Sequence, residues 1–266
     1  MVKGGYHLAR VRPNIDITGN VAYEAHDLLF DWHRFEIPRG ACTIKSFNMV
    51  VPGTNGACVA GIDMDLYFAT TVNGAAPPSL GTVNGGVNNG AGKIAFAGSR
   101  NHIIAHRLID ASVMENIDTY TASYNMWDTL ASDGTKVNDI DIMLEGDPNY
   151  LGTTAGYQSV WIAAITLGAA DFGTGVALNQ AGHQAQSDGT AVDLIVTGTD
   201  ADFVFSIGDE LIAFVAADGS APKLIGTVTS IPDADSIVVD TVAEDFVHTT
   251  EICMRAPIRF NFGLEY

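Results

Sequence analysis

Apolar residues in this chain recur mostly in short runs with the two-residue period of β-strands, and one run stands out. Tyr157–Leu167 is the longest strongly apolar run, is rich in β-branched and aromatic residues, and lies between Gly156 and Gly168. Its composition predicts a buried strand, although periodicity alone leaves a buried helix open. At about ten residues it is too short to cross a bilayer. We expect it to be the central strand of a β-sandwich.

Further strands are predicted on both sides of this run, separated by turn signals such as Pro52-Gly53 and Asp218-Gly219. The composition agrees, because the chain is rich in Gly, Ala, Val, Thr, Asn and Asp and poor in helix-forming Lys, Arg and Glu. A helical turn is favoured only around His102–Ile109. The predicted strands are Val21–Ile37, Cys42–Val51, Ile62–Phe68, Tyr124–Leu130, Asp139–Leu144, Asp193–Val196, Phe203–Phe205, Leu211–Val215, Lys223–Val228, Ile237–Val239 and Ile258–Leu264.

Segments of low complexity suggest how these strands divide into domains. Residues 1–20 are polar and irregular, which predicts an N-terminal arm or an edge strand; an arm would be able to reach a neighbouring subunit. Asn73–Gly92 has the composition of a long loop and residues 171–190 that of a linker. From Ala191 strands return at even spacing over about 65 residues, a pattern typical of a small barrel or sandwich.

The last predicted strand suggests the topology. Ile258–Leu264 alternates without a break, and we expect it to return to the first domain beside Tyr157–Leu167. Residues 187–254 would then be an acidic β module inserted into a main domain of residues 21–186 plus 255–266. The predicted fold is therefore all-β: an antiparallel, jelly-roll-like β-sandwich with a small inserted β-barrel or sandwich.

The net charge of −18 is unevenly distributed. Residues 137–254 carry 18 acidic side chains against the single base Lys223, a net charge of −17, whereas residues 1–136 carry 12 acids and 10 bases. A field of this sign repels nucleic acid and anionic membrane surfaces. We therefore expect neither as a partner.

The cysteines and the N-terminus bear on the compartment. Cys42, Cys58 and Cys253 are odd in number and show no metal-like spacing, which favours buried free thiols in a reducing cytosol over a disulfide. Met1–His7 lacks the apolar core of a signal peptide, so synthesis in a cytoplasm is expected.

Two sets of side chains have spacings that metal sites use. His102 and His106 would share one face of a helix, but Ile103 stands where a zincin has its Glu. Carboxylates also cluster in the stretch from residue 139 to residue 147, and calcium prefers such oxygen ligands. Met143 and Gly152 occupy ligand positions of the EF-hand pattern, however, which favours a solvated strand face. The carboxylates of this stretch are Asp139, Asp141, Glu145 and Asp147.

Other candidate chemistry is equally sparse. Asp63 and Asp65 are paired carboxylates that would share one face of a strand, where the solvated side of a sheet explains them as well as acid–base catalysis does. Trp32, Trp127 and Tyr150 would line a sugar site if exposed, or lie in the core. The sequence contains no nucleophile elbow, phosphate-binding loop or dinucleotide fingerprint. We therefore predict no catalytic, cofactor-binding or metal-binding residue and no cofactor, and we do not expect an enzyme.

Two sets of turn and strand-start motifs carry a family resemblance. The first is Asp65–Phe68, then Ser79–Asn84 with its Leu-Gly-Thr, and later Ser159–Ile165. The second is Phe205–Ile212, followed by Ile225–Ile231 and then by Asp235–Val239. These motifs, over about half of the chain, resemble structural proteins of tailed-bacteriophage particles, especially capsid decoration or cement proteins. The motifs are structural, so the resemblance carries over no functional residue.

The resemblance implies a function in assembly. It predicts binding to a major capsid protein, self-association, often as a trimer, and a location on the capsid surface of the virion. The protein would stabilise the head shell by bridging capsomers. The alternative hypothesis is a carbohydrate- or receptor-binding tail or fibre protein that uses exposed aromatic residues.

Overall fold

The alternating segments of the chain form strands in a computed structural model, and a single short helix is present among the described residues. The structure describes residues 4–15, 23–52, 62–83, 98–110, 114–116, 121–126, 129–130, 136–137, 142–170, 172, 176–177, 191–193, 201–214, 223–234, 236–240 and 251–266. The elements are β1 (Tyr6–Val11), β2 (Leu28–Pro38), β3 (Cys42–Pro52), β4 (Met64–Ala69), β5 (Ile103–Ile109), β6 (Glu115–Asn116), β7 (Thr121–Met126), β8 (Thr129–Leu130), β9 (Lys136–Val137), β10 (Met143–Leu144), β11 (Tyr157–Thr166), β12 (Val176–Ala177), β13 (Ala191–Asp193), α1 (Ala201–Val204), β14 (Glu210–Phe214), β15 (Lys223–Asp233), β16 (Ser236–Val239), β17 (Glu251–Met254) and β18 (Arg259–Glu265).

Two antiparallel sheets form a sandwich with jelly-roll order. Sheet I has the order β1-β18-β3-β7-β6, with β10 also paired to β3, and sheet II has the order β2-β11-β4-β5. The chain crosses repeatedly between the sheets: β18 lies between β1 and β3 in sheet I, and β11 lies between β2 and β4 in sheet II. This winding of the chain around the two sheets is the topology of a jelly roll. The predicted all-β, jelly-roll-like sandwich is confirmed.

The central strand β11 is buried on both faces, as its apolar run predicted. Val160, Ile162 and Ala164 belong to the sandwich core, while the alternate side chains, including Trp161, are buried on the outer face. The loop after β10 covers that outer face, and Tyr150 packs edge-on against Trp161 with the ring centroids 4.9 Å apart. A strand covered on both sides needs apolar residues at every position, which explains the lack of alternation.

Aromatic rings from both sheets fill the centre of the sandwich. Phe262 on β18 lies 5.2 Å from Phe47, 5.6 Å from Phe68, 5.7 Å from Phe35 and 6.2 Å from Phe260, measured between ring centroids. These distances are typical of favourable aromatic pairs. Since the rings come from β2, β3, β4 and β18, this cluster ties the two sheets together.

The last strand returns to the main domain, but its predicted neighbour was wrong. Arg259–Glu265 lies between β1 and β3 in sheet I, whereas Tyr157–Thr166 is in sheet II. The physical reason is the jelly-roll wrapping, in which the chain passes from β11 in sheet II, through the inserted module, to β18 in sheet I. The alternation itself is confirmed, because Ile258, Phe260, Phe262 and Leu264 are all fully buried.

Two local predictions were wrong. His102–Ile109 does not form a helical turn, because Ile103–Ile109 is the strand β5, which pairs with β4. The apolar pattern of this segment fits the period of a helix as well as that of a strand, and the hydrogen bonds to β4 decide in favour of the strand. Phe203–Phe205 is not a strand, since Ala201–Val204 forms the short helix α1. Ala201, Val204 and Phe205 have helical spacing and are buried together in the inserted module.

The N-terminal segment is an edge strand where the structure describes it, which was one of the two alternatives. Tyr6–Val11 pairs along its length with β18, so these residues do not form a free arm. Ala9 and Val11 point into the core, and the opposite side chains are exposed.

The inserted module is a third antiparallel sheet between β11 and β18. Its order is β12-β17-β14-β15-β16-β13, and it therefore includes Val176–Ala177, earlier than the predicted start at residue 187. A separate aliphatic core includes Leu211, Ile225, Val239 and Ile252.

Several predictions fall on residues outside the described ranges: those on Asp139, Asp141, Trp127 and Cys58, the second half of the loop from residue 73 to residue 92, and most of the predicted linker. Cys42 and Cys253 are buried and form no disulfide, as predicted. Burial raises the pKa of the Cys42 thiol. No helix in the described part of the chain is long and apolar enough to span a membrane.

Candidate interaction surfaces

The two candidate metal-binding histidines have separate structural environments. His102 precedes β5, is buried, and its Nδ1 lies 2.9 Å from the Thr70 carbonyl oxygen. His106 lies on the outer face of β5 with a side chain 66% exposed, and its Nδ1 is 3.2 Å from Asp65 Oδ1. Without a helix, the i, i+4 spacing does not form a metal-binding face. Within the described ranges, no group of three His, Cys, Asp or Glu side chains is arranged to hold a metal ion.

Asp65 is the centre of a small polar cluster on the outer face of sheet II. Tyr67 donates its hydroxyl to Asp65 Oδ2 at 2.5 Å, and the Tyr67 ring stacks on His106 at 5.8 Å. Burial, then the hydrogen bond and charge of Asp65, raise the pKa of Tyr67 far above its usual value. The phenol is therefore held protonated and does not act as a base near neutral pH. Asp63, the other predicted carboxylate, accepts the Leu167 backbone N–H through its carbonyl oxygen at 2.9 Å.

The Asp147 carboxylate is engaged in hydrogen bonds within the protein and has a structural role. Its backbone forms an isolated bridge with Ser159 of β11, while its carboxylate accepts hydrogen bonds from Thr71 Oγ1 at 2.8 Å and from the Asn149 N–H at 2.8 Å. The neighbouring Gly146 is required there because a Cβ would overlap the Ser159 carbonyl. The contacts of Asp147 therefore fasten the covering loop to β11.

The two described candidate sugar-binding rings are engaged in protein contacts. The Trp32 indole N–H donates to the Pro78 carbonyl at 3.0 Å. The Tyr150 ring packs on Trp161, and the Arg34 guanidinium lies 5.4 Å from its centroid. These contacts hold loops against sheet II. They give the glycan-binding hypothesis no specific support.

A buried carboxylate joins the inserted module to the sandwich. Asp209, whose side chain is 1% exposed, accepts hydrogen bonds from Arg12 Nη2 at 2.7 Å and Arg259 Nη2 at 2.8 Å. It also accepts the Ser206 N–H at 2.8 Å. Arg12 follows β1 and Arg259 begins β18, so we refer to Arg12, Asp209 and Arg259 as the inter-domain ion cluster. Charge-assisted bonds at these lengths are strong and fix the geometry.

Each sheet of the sandwich also has an edge strand with exposed apolar side chains. On β1 of sheet I, Tyr6 is 77% exposed and Leu8 51% exposed. On β5 of sheet II, Leu108 is 55% exposed and Ile104 is 36% exposed. Among the described residues β1 pairs only with β18, and β5 only with β4. Exposed edges of this kind are templates for pairing with another strand.

Sequence reasoning missed both the ion cluster and the edge surfaces. Gly208-Asp209 was interpreted as a turn motif, and its charge partners are 197 and 50 residues away in sequence. The alternation of Tyr6 and Leu8 with Ala9 and Val11 is the available signal for β1, but the polar composition of residues 1–20 predicts irregular structure there.

Comparison with known proteins does not assign a family. No protein-family model matches the chain, and no curated protein matches it.

Proposed function

We propose that this protein is a structural component of a tailed-bacteriophage virion, of the capsid decoration or cement type, which stabilises the head shell by bridging capsomers. Its partners would be the major capsid protein and further copies of itself, on the outer surface of the capsid. The function is assembly rather than catalysis.

The observation that carries the proposal is the jelly-roll fold. The motifs that resemble phage virion proteins lie in strands of this fold and of the inserted module. Asp65–Phe68 lies in β4 and Ser159–Ile165 in β11, the two paired strands at the centre of sheet II. In the module, Ile225–Ile231 lies within β15. Jelly rolls occur in viral capsid proteins and in lectins, so the fold supports the proposal by analogy.

The polar side chains described above favour an assembly role over chemistry. Asp147, Arg34 and Asp209 are engaged in contacts that fasten loops or modules. Strands with open edges remain available for partner contacts. Such surfaces suit a protein that binds through large interfaces.

The charge distribution suggests an orientation on the shell. Residues 1–136 are close to neutral and residues 137–254 carry a net charge of −17. We propose that the first part contacts the capsid and that the acidic module projects outward, where its charge keeps particles apart in solution.

The test uses the full chain and empty shells assembled from the major capsid protein of the same genome. Co-sedimentation and electron microscopy of the mixture should show ordered density on the outer surface, and the decorated shells should withstand a higher temperature than bare ones. Protein that stays in the supernatant, with no added density on the shells, would contradict the proposal. Bovine serum albumin at the same concentration controls for trapping in the pellet.

A further inference from the structure

We infer that the edge strand β1 is a self-association surface, at which two copies of the protein pair their β1 strands antiparallel about a two-fold axis through Leu8. The inference goes beyond the proposed function, because it names the partner and the register at one edge of the jelly roll. It rests on backbone geometry and on the side chains of this strand, and it does not require a virion.

The hydrogen-bonding groups of β1 alternate in direction. Gly5 and Tyr266 exchange both backbone hydrogen bonds, at 2.9 Å and 3.1 Å, which makes them a hydrogen-bonded pair of the β1–β18 ladder. In an antiparallel ladder every second residue belongs to such a hydrogen-bonded pair. The backbone N–H and C=O groups of His7, Ala9 and Val11 therefore point toward β18. The N–H and C=O groups of Tyr6, Leu8 and Arg10 therefore point to the open edge.

The same three residues present their side chains on the outer face of sheet I. Ala9 and Val11 are buried in the core, so their neighbours face outward. Tyr6, Leu8 and Arg10 are exposed. The edge thus offers a row of an aromatic, an apolar and a cationic side chain together with the backbone groups for a ladder.

This row is complementary to itself in one register. Pairing Leu8 with Leu8 of the second copy places Tyr6 opposite Arg10, twice, and all of these pairs use the outward backbone groups. Tyr–Arg pairs at cross-strand distance gain cation–π energy, and the two Leu side chains cover each other at the centre. Glu265 lies beside Tyr6 on β18, so the incoming Arg10 also approaches a carboxylate.

The charge of the chain bears on the direction of the pairing. Residues 1–15 contain Lys3, Arg10 and Arg12 and no acid, in a chain with a net charge of −18. Arg12 anchors the acidic module just beyond the end of β1. Antiparallel pairing puts the two Arg12 residues about 27 Å apart along the strands at roughly 3.4 Å per residue. That separation exceeds the screening length of about 8 Å at physiological salt, so the two attachment points lie beyond screening range of each other.

The edge strand β5 is less suited to the same pairing. A two-fold axis through its centre would place His106 opposite His106 of the second copy. Like charges would then face each other whenever the imidazoles are protonated. Its exposed Leu108 nevertheless provides a control residue that matches Leu8 in type, exposure and position on an edge strand.

The test measures the mass of the full-length protein over a concentration series by analytical ultracentrifugation. We expect association to twice the chain mass of 28.1 kDa. L8D places two carboxylates at the two-fold axis and should weaken the dimer at least about ten-fold, equivalent to 1.4 kcal/mol. L108D should leave the dimer unchanged. Circular dichroism melts establish that both variants fold.

A second variant and a second measurement address the backbone pairing itself. L8P removes an N–H that points to the open edge without disturbing the β18 ladder, and it should also weaken the dimer. In hydrogen exchange, the amides of Tyr6 and Arg10 should become protected as the wild-type protein associates. A mass of one chain at all concentrations, a mass of three chains, or a dimer that L8D leaves intact would overturn the inference. A three-chain mass would leave shell binding open, since co-sedimentation tests that separately.

Discussion

The jelly roll and the inserted module are both antiparallel β structures, yet they are stabilised differently. The sandwich core is built around stacked aromatic rings from both sheets, whereas the described module core is mainly aliphatic. Residues 176–254 contain no Trp or Tyr and carry 13 acidic side chains against one basic side chain. The difference indicates a division of roles, in which the sandwich provides the rigid frame and the module presents a charged surface.

In the described part of the chain, the two regions are joined by specific contacts. Ile212 and Cys253 of the module belong to the sandwich core cluster, and the inter-domain ion cluster lies at the same boundary. Backbone bonds add to this, from Ile15 N–H to the Arg255 carbonyl at 3.1 Å and from Arg255 N–H to the Glu210 carbonyl at 2.8 Å. The module is therefore held in place at its attachment point, and its stability is expected to be partly separable from that of the sandwich.

The largest expected effect comes from breaking the aromatic core. Phe262→Ala removes the ring that contacts four others and should cost roughly 3–5 kcal/mol of unfolding free energy. Urea denaturation followed by tryptophan fluorescence measures this, because Trp32, Trp127 and Trp161 all lie outside residues 176–254.

Phe205→Ala is the matched change in the module, since Phe205 is equally buried. We expect it to shift the circular dichroism transition while the tryptophan transition moves much less. Equal shifts of the tryptophan signal in both variants would show that the two regions unfold as one unit and would remove the distinction between them.

The inter-domain ion cluster gives the next largest effect. Asp209→Asn removes the buried charge between Arg12 and Arg259 and should cost about 2–3 kcal/mol, less than a fully buried pair because both arginines are partly exposed. The fluorescence and circular dichroism transitions should separate further than in the wild type. Glu210→Gln is the control: its ion pair with Arg255 is over a third exposed on both sides and should contribute less than about 1 kcal/mol. A cost for Glu210→Gln as large as that for Asp209→Asn would contradict this assignment.

The sequence predicted local features of this fold better than their arrangement. The apolar run of β11 and the alternation of Ile258, Phe260 and Phe262 identify strands, because burial imposes a pattern on neighbouring positions. The assignment of β18 to sheet I could not be predicted in this way, since it depends on which loops cross the ends of the sandwich. Asp209 shows the same limit for the candidate site, because a turn motif does not reveal charge partners that are distant in sequence.

The smallest expected effect is a pH dependence that originates in the jelly roll. His33 on β2 lies opposite Ile162, which is fully buried, so its ring is on the core-facing side of sheet II. Burial lowers the pKa of His33, which means that the folded protein disfavours the charged imidazole. Its contribution to stability is complete above the unfolded pKa of about 6.5 and is lost as the pH falls from there toward the folded pKa. The unfolding free energy from tryptophan fluorescence should therefore decrease on acidification below about pH 6.5. In His33→Gln, the slope of the unfolding free energy against pH should be smaller. A slope that persists in His33→Gln would assign the acid sensitivity to other groups and would remove this difference between sandwich and module.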